Sequence, residues 1–225
     1  MTALRIGKVP WLPTEPPSIY VAITGVIHRK AWCSMSVLRL YIHPTQEIYM
    51  MDAQVLDDEC FSTPGKGGKT LRDILESFSI PKVFFDVRDH SHVLFRRFEI
   101  SLQFVLDLQL MELATCYNAS RRLVKNWKTC VEKDAGLEIQ KRLAGDGRIS
   151  TVLAERPLAQ EAQEYLARDL HLLPRLWACY DAKMTMLWKS RVVEASAERV
   201  GLSQSQFYLG TRKVKELGPP CWRYL

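Results

Sequence analysis

Three β-prone segments follow one another closely near the start of the chain, and they constrain the fold more than any other feature. They cover residues 18–26, 36–42 and 47–51, and each is rich in β-branched or large apolar residues. A His43-Pro44-Thr45 turn separates the last two. Such closely spaced strands predict an antiparallel meander.

After residue 69 the pattern changes to alternating helices and strands. In chain order we predict helix 70–78, strand 82–85, a helix opening at Ser91, strand 104–108, helix 110–116, and helices from Ala159 to about Tyr180 and from about Lys183 to Val200. The sequence therefore predicts an α/β fold, with a mixed sheet that combines the three-strand antiparallel meander with parallel strands and is flanked by helices.

Length and composition predict one domain. A chain of 225 residues that is 47% hydrophobic can bury one substantial core. We expect a proline-rich N-terminal arm over 1–17, the folded domain over 18–200 and a C-terminal tail over 201–225.

Charge and cysteine usage indicate the setting and the class of partner. The net charge of +6 suits a polyanionic partner. The six cysteines are scattered without zinc-site spacing. The chain shows neither a secretory signal nor an apolar run of the roughly 20 residues that span a bilayer. We expect an intracellular protein without a membrane partner, in the nucleus or cytoplasm, with the mitochondrion left open.

Three segments carry a family resemblance. They are Tyr20-Val21-Ala22-Ile23-Thr24-Gly25, Phe84-Phe85-Asp86-Val87-Arg88-Asp89-His90-Ser91-His92 and Tyr165-Leu166-Ala167-Arg168-Asp169. With their surroundings, from about residue 12 to 219, they resemble the 3′–5′ exonuclease-domain proteins of the DEDDy branch, especially those of fungi and other eukaryotes. The resemblance implies a ribonuclease H-like fold.

The resemblance also implies which positions hold the catalytic groups. The family's Asp-x-Glu falls on Ala22 and Thr24, its second-motif Asp falls on His92, and its Tyr-x-x-x-Asp falls on Tyr165 and Asp169. In the family, four carboxylates hold two divalent metals, and the Tyr orients the attacking water. Only Asp169 remains here as a matching carboxylate and as a possible metal ligand.

Charge counting argues against a working two-metal site. Two divalent ions about 4 Å apart repel each other by roughly 16 kcal/mol at an effective dielectric of about 20. One carboxylate leaves about three of their four charges uncompensated. We therefore expect no metal cofactor, and the resemblance becomes one to a nuclease with degenerate catalytic motifs.

An active enzyme with relocated ligands is the alternative, and it would need Mg²⁺ or Mn²⁺. Asp86 ends a strand, and Asp89 lies three residues before His92, so either carboxylate could substitute for a lost acid. The competing interpretation gives Asp89 a helix-capping role and Asp86 a strand-ending role, both common for aspartate.

A basic segment beside an aromatic residue indicates nucleic-acid contact. Its candidate residues are Arg121, Arg122, Lys125, Trp127 and Lys128. A solvated charged face explains the same residues without any ligand. We expect a catalytically degenerate exonuclease-like domain that binds RNA or single-stranded DNA or a protein. The remaining hypothesis is a structural subunit of a ribonucleoprotein.

Overall fold

The computed structural model describes residues 12–27, 33–65, 67–116, 121–135, 155–208 and 210–223. Five strands form one sheet in the order β3-β2-β1-β4-β5. They are β1 (Ile19–Ile27), β2 (Cys33–Ile42), β3 (Glu47–Asp52), β4 (Lys82–Phe84) and β5 (Val105–Asp107). The first three pair antiparallel, whereas β1 with β4 and β4 with β5 pair parallel, which confirms the predicted mixed sheet.

Helices connect and flank these strands. They are α1 (Ala53–Leu56), α2 (Glu59–Ser62), α3 (Leu71–Leu75), α4 (Val87–Phe98), α5 (Leu108–Thr115), α6 (Trp127–Asp134), α7 (Gln160–Leu170), α8 (Leu172–Asp181), α9 (Met186–Gln204) and α10 (Arg212–Lys215), with a 3-10 turn over Pro220–Trp222. No helix within these described ranges is long and apolar enough to cross a membrane.

Predicted and observed helix boundaries differ at several places, and two of these differences have a clear physical cause. Helix α4 starts at Val87 rather than Ser91, because the Asp107 carboxylate accepts hydrogen bonds from the backbone N–H groups of Asp86 and Val87 at 3.0 and 3.1 Å. The predicted helix from Ala159 to Tyr180 is two helices, α7 and α8. Pro174 lies in the first turn of α8, where the missing proline N–H interrupts the helical ladder least.

Hydrophobic clusters cover both faces of the sheet. One joins the odd positions of β1, such as Val21, to α3 and α4, and the other joins Tyr20 to α5, α8 and α9. This alternation follows from the two-residue period of a strand. Trp222 belongs to the second cluster, so part of the segment assigned to the tail packs onto the domain. The domain boundaries themselves stay a prediction.

The register of the meander fixes the candidate site. Ala22 on β1 pairs directly with Arg39 on β2, and a β-bulge follows Thr24. Directly opposed residues of an antiparallel pair project from the same face of the sheet. The Arg39 side chain therefore starts beside the positions where the resemblance expects two acids.

Candidate functional site

A small cavity of about 170 Å³ opens beside the middle of β1. Its walls are Val21, Ala22, Ile23, Arg39, Phe85, His90, Trp127, Asp169, Leu170 and Leu173. The fold thus brings together three of the residues singled out in the sequence, Ala22, Trp127 and Asp169. It does so from β1, α6 and α7, which are far apart along the chain.

The guanidinium of Arg39 connects two of the family positions. It donates to Thr24 Oγ1 at 2.8 Å and to the Leu166 carbonyl at 2.8 Å, and its Nη1 lies 3.4 Å from Asp169 Oδ2. The Arg39 side chain is 5% exposed and that of Asp169 is 28% exposed. The surviving carboxylate is therefore paired with a cation supplied by the chain itself.

Sequence reasoning does not identify Arg39. Its one signal is an arginine between Leu38 and Leu40 in an otherwise apolar strand. A buried arginine requires a partner, but the strand pattern alone does not say which one.

Burial and pairing act in opposite directions on this ion pair. Burial lowers the pKa of the Arg39 guanidinium, and Asp169 opposes that shift. Burial raises the pKa of the Asp169 carboxyl, whereas Arg39 and a hydrogen bond from Trp127 counteract the rise. Arg39 Nε, also buried, has no hydrogen-bond partner within the described residues. The pair is thus incompletely satisfied and borders an open space.

Trp127 closes another side of the cavity. It is the first residue of α6, a helix capped by the Asn126 side chain, which accepts a hydrogen bond from the Thr129 N–H at 2.9 Å. The Trp127 ring meets that of Phe85 edge to face, with centroids 5.1 Å apart. Two aromatic rings therefore stand next to the surviving carboxylate.

His92 does not lie at this cavity, contrary to the position that the resemblance gives it. Its Nδ1 lies 2.8 Å from the Ser203 carbonyl oxygen, and its ring packs against Tyr208 with centroids 5.0 Å apart.

His90 lines the cavity instead of His92. Two residues along a helix turn the side chain by about 200°, so only one of these histidines can face β1. Desolvation lowers the pKa of the His90 imidazole, which favours its neutral form.

Tyr165 stands beside the cavity rather than in its wall. It packs against a cluster of Val37, Leu158, Ala162 and Leu166. Burial, followed by the nearby Asp169 charge, raises the pKa of its phenol. Tyr165 keeps the one-turn spacing to Asp169 that the resemblance implies.

The two alternative carboxylates are also engaged by cations. Arg88 donates to both oxygens of Asp86, at 2.6 and 2.9 Å, and Arg199 lies 3.9 Å away. Burial raises the pKa of Asp86, but the Arg88 pair outweighs it and lowers that pKa overall. Asp89 accepts hydrogen bonds from Lys215 and, at 3.0 Å, from the Tyr208 hydroxyl.

The donor set does not fit a pair of hard divalent ions. Within the described ranges, no three His, Cys, Asp or Glu side chains are grouped closely enough to hold a metal. Magnesium and manganese favour several oxygen ligands, preferably carboxylates. The cavity offers the Asp169 carboxylate, the neutral imidazole of His90 and the cationic Arg39.

The basic residues predicted to bind nucleic acid fall into two groups. Lys125 is ion-paired with buried Glu112, and Lys128 lies 3.8 Å from Glu132. Arg121 stacks on Trp188, with its guanidinium 4.5 Å from the ring centroid, and Arg122 is exposed. Arg122 and Lys128 are exposed and can meet a ligand, whereas Lys125 and Arg121 are held by contacts within the protein.

Comparison with known proteins gives a consistent result. Residues 35–180 match the family described as 3′–5′ exonuclease. The piRNA biogenesis protein EXD1 of Bombyx mori is 28% identical over 151 residues, which are 65% of this chain and 45% of that protein. The chain thus spans less than half the length of this relative.

Solved structures share the fold at low identity. RNase D of Trypanosoma brucei, in its complex with RNA U12, aligns with a TM-score of 0.72 and 19% identity over 91% of this chain and 70% of that chain. Escherichia coli RNase D aligns with a TM-score of 0.61 and 18% identity over 84% of this chain and 45% of that one. These matches confirm the ribonuclease H-like arrangement.

Proposed function

The chain belongs to the 3′–5′ exonuclease family, and we propose that it is a non-cleaving member that binds single-stranded nucleic acid, RNA in particular, without a metal. One observation carries the proposal: the Arg39 guanidinium lies on the surviving acid, Asp169, and on Thr24. A positive charge thus sits where the family places metal ligands.

The charge of this pair argues against metal binding. A divalent ion near both groups is attracted by Asp169 and repelled by Arg39 with comparable strength. Ala22 adds no ligand atom, and the Thr24 hydroxyl already accepts a hydrogen bond from Arg39 at 2.8 Å. The electrostatic gain that four carboxylates would supply is therefore missing.

The engagement of Asp86 and Asp89 argues against an active enzyme with relocated ligands. A metal would have to displace Arg88 from Asp86, or Lys215 and Tyr208 from Asp89. Truncating one side of a buried pair costs about 3–5 kcal/mol, so the contact between Arg88 and Asp86 is not easily exchanged. The Asp89 carboxylate is 37% exposed and is held less strongly.

Aromatic and cationic groups support retained binding. Phe85 and Trp127 offer ring surfaces at the cavity, and base–aromatic stacking contributes about 1–3 kcal/mol per base. Arg122 is exposed five residues before Trp127. A relative of known structure, the Trypanosoma brucei RNase D, was solved with RNA, which favours RNA as the ligand class.

Two measurements on the same protein test the proposal. Labelled 12-nucleotide single-stranded RNA and DNA are incubated with the chain in Mg²⁺ or Mn²⁺, and binding is followed by fluorescence anisotropy in EDTA. We expect intact RNA and binding that weakens steeply with salt, as phosphate contacts require.

Matched variants separate the possible results. Cleavage that Asp169→Ala abolishes, and that Glu161→Ala on the exposed side of α7 leaves intact, would contradict a non-cleaving domain. RNA binding that is absent in EDTA, or insensitive to salt, would instead favour the structural-subunit hypothesis.

A further inference from the structure

A second aromatic and cationic cluster lies outside the cavity, at the start of α9. The guanidinium of Arg121 lies 4.5 Å from the Trp188 ring centroid, and that of Arg191 lies 5.0 Å from the same centroid. We name these three residues the Trp188 clamp. Two cations held on one indole form a concentrated positive patch.

Three separate chain segments build and support the clamp. Trp222, which is buried, meets Trp188 edge to face with centroids 5.1 Å apart. The Gly218 N–H donates to the Arg122 carbonyl at 2.9 Å and the Val124 N–H to the Glu216 carbonyl at 3.0 Å. The C-terminal segment therefore fixes both the indole and the strand-like stretch that carries Arg121.

The close packing at Gly218 shows that this support is specific. A Cβ atom there would lie 2.5 Å from Leu113 Cδ2 and 2.8 Å from the Arg121 carbonyl oxygen. Only glycine permits that approach without moving the backbone of Arg121.

The charge environment favours an anionic ligand. Among the described residues, Arg191 forms no ion pair with a carboxylate, and its guanidinium lies against the Trp188 ring. Stacking on an aromatic face leaves the edge of a guanidinium, with its N–H donors, available for a bidentate contact. Phosphate oxygens match that geometry.

We propose that the Trp188 clamp binds a backbone phosphate of single-stranded nucleic acid and so forms a docking point outside the exonuclease-like cavity. The inference rests on the proposed function, since it names a second contact for the same ligand. The stretch from Arg121 through exposed Arg122 to Trp127 connects the clamp directly to the cavity wall.

The length of that connection sets the size of the ligand. Trp127 lies six positions after Arg121, and a fully extended chain of that length covers at most about 21 Å. At about 3.4 Å per nucleotide in a stacked strand, this corresponds to about six nucleotides. This length is an upper limit, so a 12-nucleotide RNA is long enough to reach both places, and a 4-nucleotide RNA serves as the shorter probe.

Binding of labelled 12- and 4-nucleotide RNAs in EDTA, at several salt concentrations, tests the clamp. We expect Arg191→Gln to weaken binding of the 12-nucleotide RNA about 5- to 10-fold near 0.1 M salt. The slope of log K against log salt should become shallower by about 0.7, the value for one lost phosphate contact on a single strand. The relative loss should be smaller for the 4-nucleotide RNA, which can engage the clamp and the cavity together less completely.

Two further variants calibrate the result. Arg191→Lys keeps the charge but loses the planar stacking, so we expect a smaller loss than for Arg191→Gln. Arg96→Gln removes an exposed positive charge near the far end of α4 and should leave both RNAs bound as in the parent chain.

The outcomes distinguish the clamp from the proposed function. Unchanged affinity and salt slope in Arg191→Gln, with RNA still bound, would overturn the clamp alone. Failure of the parent chain to bind either RNA would overturn both. Displacement of the 12-nucleotide RNA by a poly-glutamate peptide at equal charge would replace nucleic acid by an acidic protein as the ligand.

Discussion

Two buried aspartate–arginine pairs in this molecule differ in how completely they are satisfied. Asp107 accepts hydrogen bonds from the N–H groups of Asp86, Val87 and Gln109 at 3.0–3.1 Å and from Arg199 at 2.7 Å, and its side chain is fully buried. Asp169 meets Arg39 at 3.4 Å, with its side chain 28% exposed.

The difference separates a pair that holds the fold together from a pair at the candidate functional site. Hydrogen bonds to the Asp107 carboxylate connect β5 with α4, α5 and α9. The packing of these elements therefore depends on this charge and its donors. Asp169 belongs to a cavity that still has free space, and Arg39 Nε has no hydrogen-bond partner in the part of the chain that the structure describes. The Asp169 pair is therefore held less completely than the Asp107 pair and remains next to space that a ligand could enter.

The largest expected loss of stability comes from breaking the pair between Asp107 and Arg199. We expect Asp107→Ala to lower the free energy of unfolding by about 3–5 kcal/mol, because it leaves Arg199 buried without its carboxylate and strips three backbone N–H groups of their acceptor. Asp169→Ala should cost less, about 1–3 kcal/mol, because the buried Arg39 keeps the Thr24 hydroxyl and the Leu166 carbonyl as acceptors. Urea denaturation measures both, and equal losses would contradict the comparison.

The next prediction concerns metal binding after carboxylates are introduced at the cavity beside β1. We expect the combination Ala22→Asp, Thr24→Glu, His90→Asp and Arg39→Gln to bind Mn²⁺ at least about 100-fold more tightly than the parent chain. The combination introduces carboxylates as metal ligands and removes the positive charge of Arg39, which opposes a cation. A 100-fold change in affinity corresponds to about 2.7 kcal/mol. Isothermal titration calorimetry provides the measurement.

A control within the same design decides which histidine belongs to the site. The matched combination carries His92→Asp in place of His90→Asp, and the His92 side chain contacts Ser203 and Tyr208. We expect it to bind Mn²⁺ more weakly than the His90→Asp version. Stronger binding by the His92→Asp version would restore the assignment that the sequence alone suggested.

The smallest expected change in stability concerns Lys82, a buried amine with no carboxylate partner among the described residues. Its Nζ donates to the carbonyls of Ile74 at 3.2 Å and Ser77 at 2.6 Å. Burial lowers the pKa of this amine from 10.5 to about 7. Between these values the unfolded chain holds the proton and the folded chain releases it, so stability rises with pH.

We therefore expect the free energy of unfolding to increase by roughly 2 kcal/mol between pH 7 and pH 9 through this group. Denaturation at both pH values measures the change. Lys82→Met should abolish the rise, whereas Lys69→Met at an exposed position should retain it. A pH response that is the same in Lys82→Met and the parent chain would assign it to other groups.

Much of the fold follows from local patterns in the sequence. The meander, the alternation of helix and strand and the mixed sheet all appear as predicted, because strand and helix periodicities depend on residues a few positions apart. The start of α4 escapes such reasoning because it depends on Asp107, twenty residues further along. The start of α8 could have been predicted from Pro174, because proline is favoured in the first turn of a helix and disfavoured in its interior.

The sequence by itself determined the fold, the family and the identities of the residues at the motif positions, including Ala22, Thr24 and Asp169. Only the tertiary structure decided that Arg39 lies on Asp169, that His90 rather than His92 lines the cavity, and that Lys215 pairs with Asp89. The physical reason is distance along the chain. Such charge pairs join residues up to 130 positions apart, and strand register, helix phase and packing set their geometry.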